Sequence, residues 1–304
     1  GNIVYILGVS GSISSPDYSW TGLAANPPVS GDTTSGAIWW IGEGSARPTM
    51  KRTDGDAIFV NGGAYLRFKN FYYQPGSAST ARCFDCKNSY IFEKCVFDLN
   101  DLDTSALIDN GCVVLNCEFF SKTSGTPTSR STAALSGTNI LNAWTIIGCH
   151  FHDLGGPAIS CTSAVIQDSL FNKSVKEYVL SGSSDARSYI VIKNNTFNNT
   201  AADAVSLTSA IGVGSAVILD NIFSNNTGSG KAAVKLTGTA ARNDLLKVFL
   251  DYNDYYNNTT NCTGFTIGAN DLTLDPQFTS STDFTLNGAN LQAQAYPRAT
   301  ITGG

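Results

Sequence analysis

An aromatic residue returns every 20 to 32 residues through most of this chain, and each time it closes the same short phrase. The anchors are Tyr72, Phe97, Phe119, Phe151, Phe171, Phe197, Phe223 and Tyr255. Two places before them stand Asn70, Cys95, Cys117, Cys149, Ser169, Asn195, Asn221 and Asn253. Apolar runs lead in, such as Tyr90-Ile91-Phe92 and Ile190-Val191-Ile192, and polar turns such as Asn198-Asn199-Thr200 lead out. A period of this size is the signature of a solenoid, in which no repeat buries its apolar face alone but stacked neighbours bury it together. The unequal spacing places insertions in the turns.

Most copies carry a further strand-like piece after the turn, such as Ala158-Ile159, Tyr178-Val179-Leu180 and Ala233-Val234-Lys235-Leu236. Repeats of two or three short strands without helical periodicity predict an all-β chain folded as a parallel β-helix, right-handed and made from one chain. Alternate residues of a strand share a face, so each anchor and the residue two before it point the same way. Both are assigned inward. The aromatic rings then stack from coil to coil at about 4.8 Å, and the small polar or thiol residues form a second ladder beside them. Inward asparagines can satisfy one another's amides along that ladder.

Composition agrees. Charged residues make up 14% of the 304, below the roughly 25% of ordinary domains. A net charge of −5 argues against a nucleic-acid partner, which needs basic clusters. No apolar run is long enough to span a membrane as a helix, and no signal peptide is visible. Of the eight cysteines, Cys83 and Cys86 form a lone Cys-x-x-Cys with no second half, and His150 and His152 are the only histidines. No metal site and no redox pair is expected from that spacing. Buried free thiols fit the ladder better. The whole is read as one domain: an N-terminal strand and insertion over 1–36, coils over 37–270 and a closing segment over 271–304.

Two stretches resemble a known family. Ile38 to Thr53 with Asp56 to Tyr72 looks like the opening coils of the pectate-lyase-like right-handed parallel β-helices. Leu272-Thr273-Leu274-Asp275-Pro276-Gln277-Phe278, followed by Thr282 to Leu286, resembles the closing segment of bacterial and phage members. The resemblance covers roughly residues 37–290 and implies the fold. It implies little about activity, since that fold hosts lyases, hydrolases, phage tailspikes and non-catalytic surface proteins.

The chemistry must lie on outward positions beside the anchors. Glu118 and His150 become neighbours on adjacent coils. Asp98 and His152 lie two coils apart with Phe120 between them, and Asp153 lies just beyond. A carboxylate and an imidazole in reach can exchange protons, and two carboxylates at the right separation can cleave a glycosidic bond. Asp98, Glu118, His150 and His152 are therefore the candidate catalytic residues. The Asn-Thr-Asp, Asp-Asp, Gly-His-Gly and Arg-Ile-Lys motifs of polygalacturonase-like hydrolases are absent. Resemblance to pectate lyases implies a calcium cluster, for which Asp98, Asp101 and Asp103 are candidates with Arg82, Lys94 or Arg130 as bases. Otherwise no cofactor is expected.

Sequons at Asn172, Asn194, Asn198, Asn225, Asn257, Asn258 and Asn261 are better explained by the turn preferences of asparagine and threonine. Trp20, Trp39, Trp40 and Trp144 are assigned mainly to packing rather than to sugar stacking. The expectation is a non-catalytic surface or virion-associated β-helix, such as a phage decoration, fibre or tailspike component, extracellular and facing carbohydrate. Its partners would be a polysaccharide or other virion or surface proteins, with no nucleic acid and no membrane, and a homotrimer is the assembly considered. The alternative is a polysaccharide lyase or glycoside hydrolase.

Overall fold

Short apolar strands separated by tight turns and longer insertions have a single economical way to pair, which is coil upon coil. The computed structural model describes residues 3–8, 18–19, 38–44, 47–51, 59–60, 66–74, 84–86, 90–101, 106–109, 111–121, 125–137, 143–182, 188–209, 215–238 and 248–286. Their strands form three sheets. The first runs from Ile3–Gly8 to Val248–Asp251, the second from Tyr18–Ser19 to Asp254–Tyr256, and the third from Phe59–Val60 to Cys262–Thr263. From Ile38–Gly44 onward the chain visits the sheets in strict rotation, and neighbouring strands pair in parallel. The fold is an all-β parallel solenoid, with no helix among the described residues.

Alternation along each strand sends one row of side chains inward. The first sheet contributes Phe68, Phe92, Val114, Ile146, Ile166, Ile192 and Ile218, and the third contributes Phe84, Leu107, Leu135, Ile159, Val179, Val205 and Val234, all fully buried. The second sheet contributes the aromatic stack. Ring centroids from Phe97 through Phe119, Phe151, Phe171, Phe197 and Phe223 are 4.6–4.9 Å apart, with planes within 14°. That spacing is the interstrand distance itself, so backbone pairing and ring stacking reinforce one another. Each ring contributes roughly 1.5–3 kcal/mol by burial alone.

Parallel pairing corrects the sequence reading at one coil. Tyr73, not Tyr72, pairs with Phe97 and stacks on it at 4.9 Å. Phe71 therefore fills the ladder position next to Cys95, and its carbonyl accepts the Val96 N–H. Asn70 is not a ladder residue. It sits in a left-handed turn at φ 63°, where its Nδ2 donates to the Gly42 carbonyl and its Oδ1 accepts from Arg47 Nε. A one-residue slip turns every side chain to the other face, so Tyr72 points outward.

The same left-handed turn joins the first sheet to the second at Lys94, Asn116, Asp168, Asn194, Asp220 and Tyr252, and at Gly148. Asparagine, aspartate and glycine tolerate that conformation best. The residue after each turn faces inward and forms the ladder: Cys95, Cys117, Cys149, Ser169, Asn195, Asn221 and Asn253, all buried. In its last third the ladder is a chain of amides. Asn195 Nδ2 donates to Asn221 Oδ1 at 3.1 Å, Asn221 Nδ2 to Asn253 Oδ1 at 2.9 Å, and Asn253 Nδ2 to Asp271 Oδ1 at 3.2 Å. Each of these asparagines also donates to carbonyls of its own coil and the coil before, such as Lys193 and Ile166 for Asn195. The thiols bond more weakly, with Sγ to carbonyl distances of 3.4–3.6 Å for Cys95 and Cys117. All six described cysteines are free, and five are buried.

The stack reaches back before residue 37. Ile3–Gly8 pairs with the strand at 38–44, and Tyr18–Ser19 pairs with Thr49–Lys51, so part of the segment read as an insertion is a strand. Trp40 is buried, whereas Trp39 is half-buried with the Arg67 guanidinium 4.9 Å above its ring. Trp144 lies in the core. Trp20, Arg82, Cys83, Asp103 and the tail from 287 lie outside the described residues, as does the side chain of Cys86.

Candidate functional site

From Thr49–Lys51 onward each strand of the second sheet is three to five residues long, so it offers an outward position on either side of an inward residue. The register aligns Val96, Glu118, His150 and Leu170 in one outward row, and Asp98, Phe120, His152 and Asn172 in the other. The sequence-derived neighbourhood of Glu118 with His150 is therefore present, as is Phe120 between Asp98 and His152. The polar contact between these two coils, however, is diagonal. His152 Nε2 lies 3.0 Å from Glu118 Oε1, while the His150 and His152 rings are 4.4 Å apart. His152 also stacks against Phe120, with centroids 5.2 Å apart.

Asp153 completes the cluster, and it does so because of backbone geometry. It adopts a left-handed conformation, φ 49°, that folds the strand end back on itself. Its Oδ2 lies 2.9 Å from His152 Nδ1, and its Oδ1 lies 2.5 Å from Lys173 Nζ. His152 is thus held between two carboxylates. Burial alone would lower its pKa, but the hydrogen bonds to Glu118 and Asp153 and their charges together outweigh it and raise the pKa above its ordinary value. The Glu118 carboxyl is correspondingly lowered, chiefly by its hydrogen bond with His152.

His150 behaves oppositely. Burial, and then the charge of His152, bring it down to about 4, so it is neutral near pH 7. Its Nε2 is shielded from solvent and has no hydrogen-bond partner among the described residues. A polar atom left so costs about 1–3 kcal/mol. Glu118, His150 and His152 each offer one donor atom within 4.8 Å of the others.

Asp98 stands apart from this group. It is buried, and its oxygens are engaged: Oδ2 accepts from Tyr72 Oη at 2.6 Å and from Gln74 Nε2 at 3.1 Å, and Oδ1 accepts from the Asn100 N–H at 2.8 Å. Asp101 instead anchors the 125–132 insertion, accepting from the Thr128 N–H and Oγ1, while Arg130 donates to the Asp101 carbonyl. The carboxylates of Asp98 and Asp101 are thus committed to different partners within the chain.

The insertion shapes the surface beside the cluster. It lies directly on Gly155 and Gly156, where an added Cβ would stand 2.1 Å from the Thr128 carbonyl oxygen and 2.0 Å from that of Thr132. Only glycine permits so close an approach. Thr126 and Pro127 then wall an open groove of about 300 Å³ whose floor crosses the turns at 173–175, 199–201 and 227–228. Lys173 belongs to both the groove and the cluster.

Sequence reasoning missed Asp153's bridging role, Lys173, and the clamp of Tyr72 and Gln74 on Asp98. A usable signal existed for the first, since Asp153, Lys173, Asn199, Asn225 and Asn257 mark a second row of left-handed turns. Comparison with known protein families and with curated proteins finds no match to this chain.

Proposed function

We propose that this protein is a non-catalytic surface or virion-associated β-helix, right-handed and of the pectate-lyase-like kind, that binds an extended polysaccharide outside the cell. The preference of parallel crossover connections for the right hand supports the handedness. The groove beside the Lys173–Asp153 pair carries the functional reading. Its floor crosses three coils, about 10 Å at about 4.8 Å per coil. It presents hydroxyl, amide and ammonium groups, from Thr126, Thr227, Asn199 and Lys173, and no aromatic ring. Such a lining suits hydrogen bonding to sugar hydroxyls along a chain. The nearby carboxylates support binding over cleavage. Glu118 and Asp153 flank one imidazole instead of facing each other across open space, and Asp98 is fully engaged. Virion or surface proteins, and a homotrimeric assembly, are the partners in this reading.

A second reading rests on His150. Neutral and with one unpartnered nitrogen, His150 is the group of this cluster left to accept a proton in a lyase or hydrolase. A panel of polysaccharides separates the two. Saturable binding without turnover, weakened about tenfold by Asn199→Ala or Thr126→Ala as expected for a lost hydrogen bond, supports the binding protein. Turnover abolished by Glu118→Gln or His150→Ala establishes the enzyme. Neither binding nor turnover on any glycan overturns the carbohydrate reading.

A further inference from the structure

We propose that Glu118, His150 and His152 form a binding site for a divalent cation of the zinc class, with Asp153 orienting His152 from behind. This inference does not rest on the glycan reading. The three residues sit on adjacent strands whose register is fixed by backbone pairing, so their spacing is set by the fold rather than by a loop. One donor atom from each lies within 4.8 Å of the other two. Ligands held tetrahedrally at about 2.0–2.1 Å stand about 3.3 Å from one another. Glu118 Oε1 and His152 Nε2, at 3.0 Å, already have that separation. The His150 donor lies no more than 4.8 Å from either, and rotation of its side chain would have to close the rest.

Two observations outside the cluster's own spacing point to a ligand. The first is His150 Nε2, shielded and without a hydrogen-bond partner among the described residues, a group that a metal bond would satisfy. The second is the far side of His152. Its Nδ1 lies 2.9 Å from Asp153 Oδ2, and Asp153 is itself fixed by Lys173. A carboxylate on the remote nitrogen is the outer contact that aligns metal-bound histidines and fixes which nitrogen keeps its proton. Here it leaves Nε2 aimed at Glu118.

The donor set also selects the ion. Calcium and magnesium prefer all-oxygen surroundings. Two imidazoles and one carboxylate suit zinc and its first-row neighbours, and three protein ligands leave a fourth position for water or an incoming group. Glu118, whose side chain is 39% exposed, marks the solvent side where that position would open. The thiols do not compete, since Cys117 and Cys149 face the interior. The sequence reading expected no metal because it sought cysteine and histidine spacing along the chain, whereas these ligands meet across coils.

The test uses the full chain without a polyhistidine tag, stripped by chelator and titrated with zinc by calorimetry and with cobalt(II) by absorption. One equivalent should bind, and cobalt should show the intense visible bands of four-coordination. Asp153→Asn should weaken zinc binding about 10–100-fold, and His150→Ala should weaken it at least as much. If His150→Ala fails to fold, Glu118→Gln carries the same reading, since it keeps the shape and weakens the ligand. Absence of binding at submillimolar zinc overturns the proposal. So does affinity unchanged in His150→Ala or Glu118→Gln, or a cobalt spectrum with thiolate charge-transfer bands.

Discussion

Two stretches of the same interior ladder solve one problem with different chemistry. From Cys95 to Cys149 the position after the left-handed turn is a thiol, and from Asn195 to Asn253 it is an amide. Both occupy the same place beside the same aromatic stack. The amides bind carbonyls of two coils and the next amide, at 2.8–3.1 Å. The thiols reach carbonyls at 3.4–3.6 Å, and the Cys95 N–H finds only the Cys117 sulfur, at 3.4 Å. The thiol stretch gives up strong hydrogen bonding and keeps small, polarisable volume. It also underlies the Glu118–His152 cluster, whereas the amide stretch underlies coils whose outward rows carry Thr196, Ile222 and Asp254 on one side and Asn198, Ser224 and Tyr256 on the other.

The comparison can be attacked at the feature both stretches share. Phe119→Ala and Phe197→Ala should each cost about 3–5 kcal/mol, since each removes one ring from a continuous stack. Denaturant midpoints measured side by side should fall together, and a large gap between them would show that the stack is not common to both. Asn221→Ala comes next. It strips partners from the Ile192 and Leu219 carbonyls and from both donors of Asn195. The loss should be roughly 3 kcal/mol, the sum of several buried hydrogen bonds. Cys117→Ala should cost about 1–2 kcal/mol, the burial of one heavy atom and the weak sulfur bond from the Cys95 N–H. Equal costs for Asn221→Ala and Cys117→Ala would erase the distinction between the two chemistries.

The effect that is smallest near neutral pH is ionisation. Burial pushes the Cys161 thiol up to about 12, and burial with its sulfur neighbours pushes Cys117 well above the ordinary range. A thiol whose pKa is higher folded than unfolded contributes fully below the unfolded value of about 8.5, and its contribution drains away as pH climbs above it. Stability should therefore decline from about pH 8.5 toward 12, and Cys161→Ala should flatten part of that slope. Alkylation of native protein at pH 8 should spare both thiols and modify them after unfolding.

The repeat made the fold legible because aromatic residues cannot be placed at a fixed distance from turns without dictating what stacks on what. It failed at Tyr72 and Tyr73, where two adjacent tyrosines fit the pattern equally and only backbone pairing decides between them. The outward rows were legible for the same reason the inward ones were. The neighbours of Glu118 and Phe120 follow from register. What did not follow was the diagonal contact from His152 to Glu118, which depends on side-chain rotation, or the turn of Asp153 back onto His152, which depends on a left-handed residue within a strand. The groove was out of reach because its wall is an insertion held by Asp101 and admitted by Gly155 and Gly156, contacts with no periodic signature.

The amide ladder is one-way. Every asparagine in it passes a hydrogen bond toward the later coil and receives one from the earlier, so the side-chain dipoles point in a single direction and reinforce one another. At the end stands Asp271, which accepts from both the backbone and the side chain of Asn253. Burial raises the Asp271 carboxyl above its ordinary value, yet both its oxygens accept, Oδ2 from the Gly268 N–H. A further coil arriving at that end would need a donor from this position and would find none. The ladder therefore carries its own full stop: one residue that both neutralises the positive end of the series and denies a second molecule the grammar to continue it.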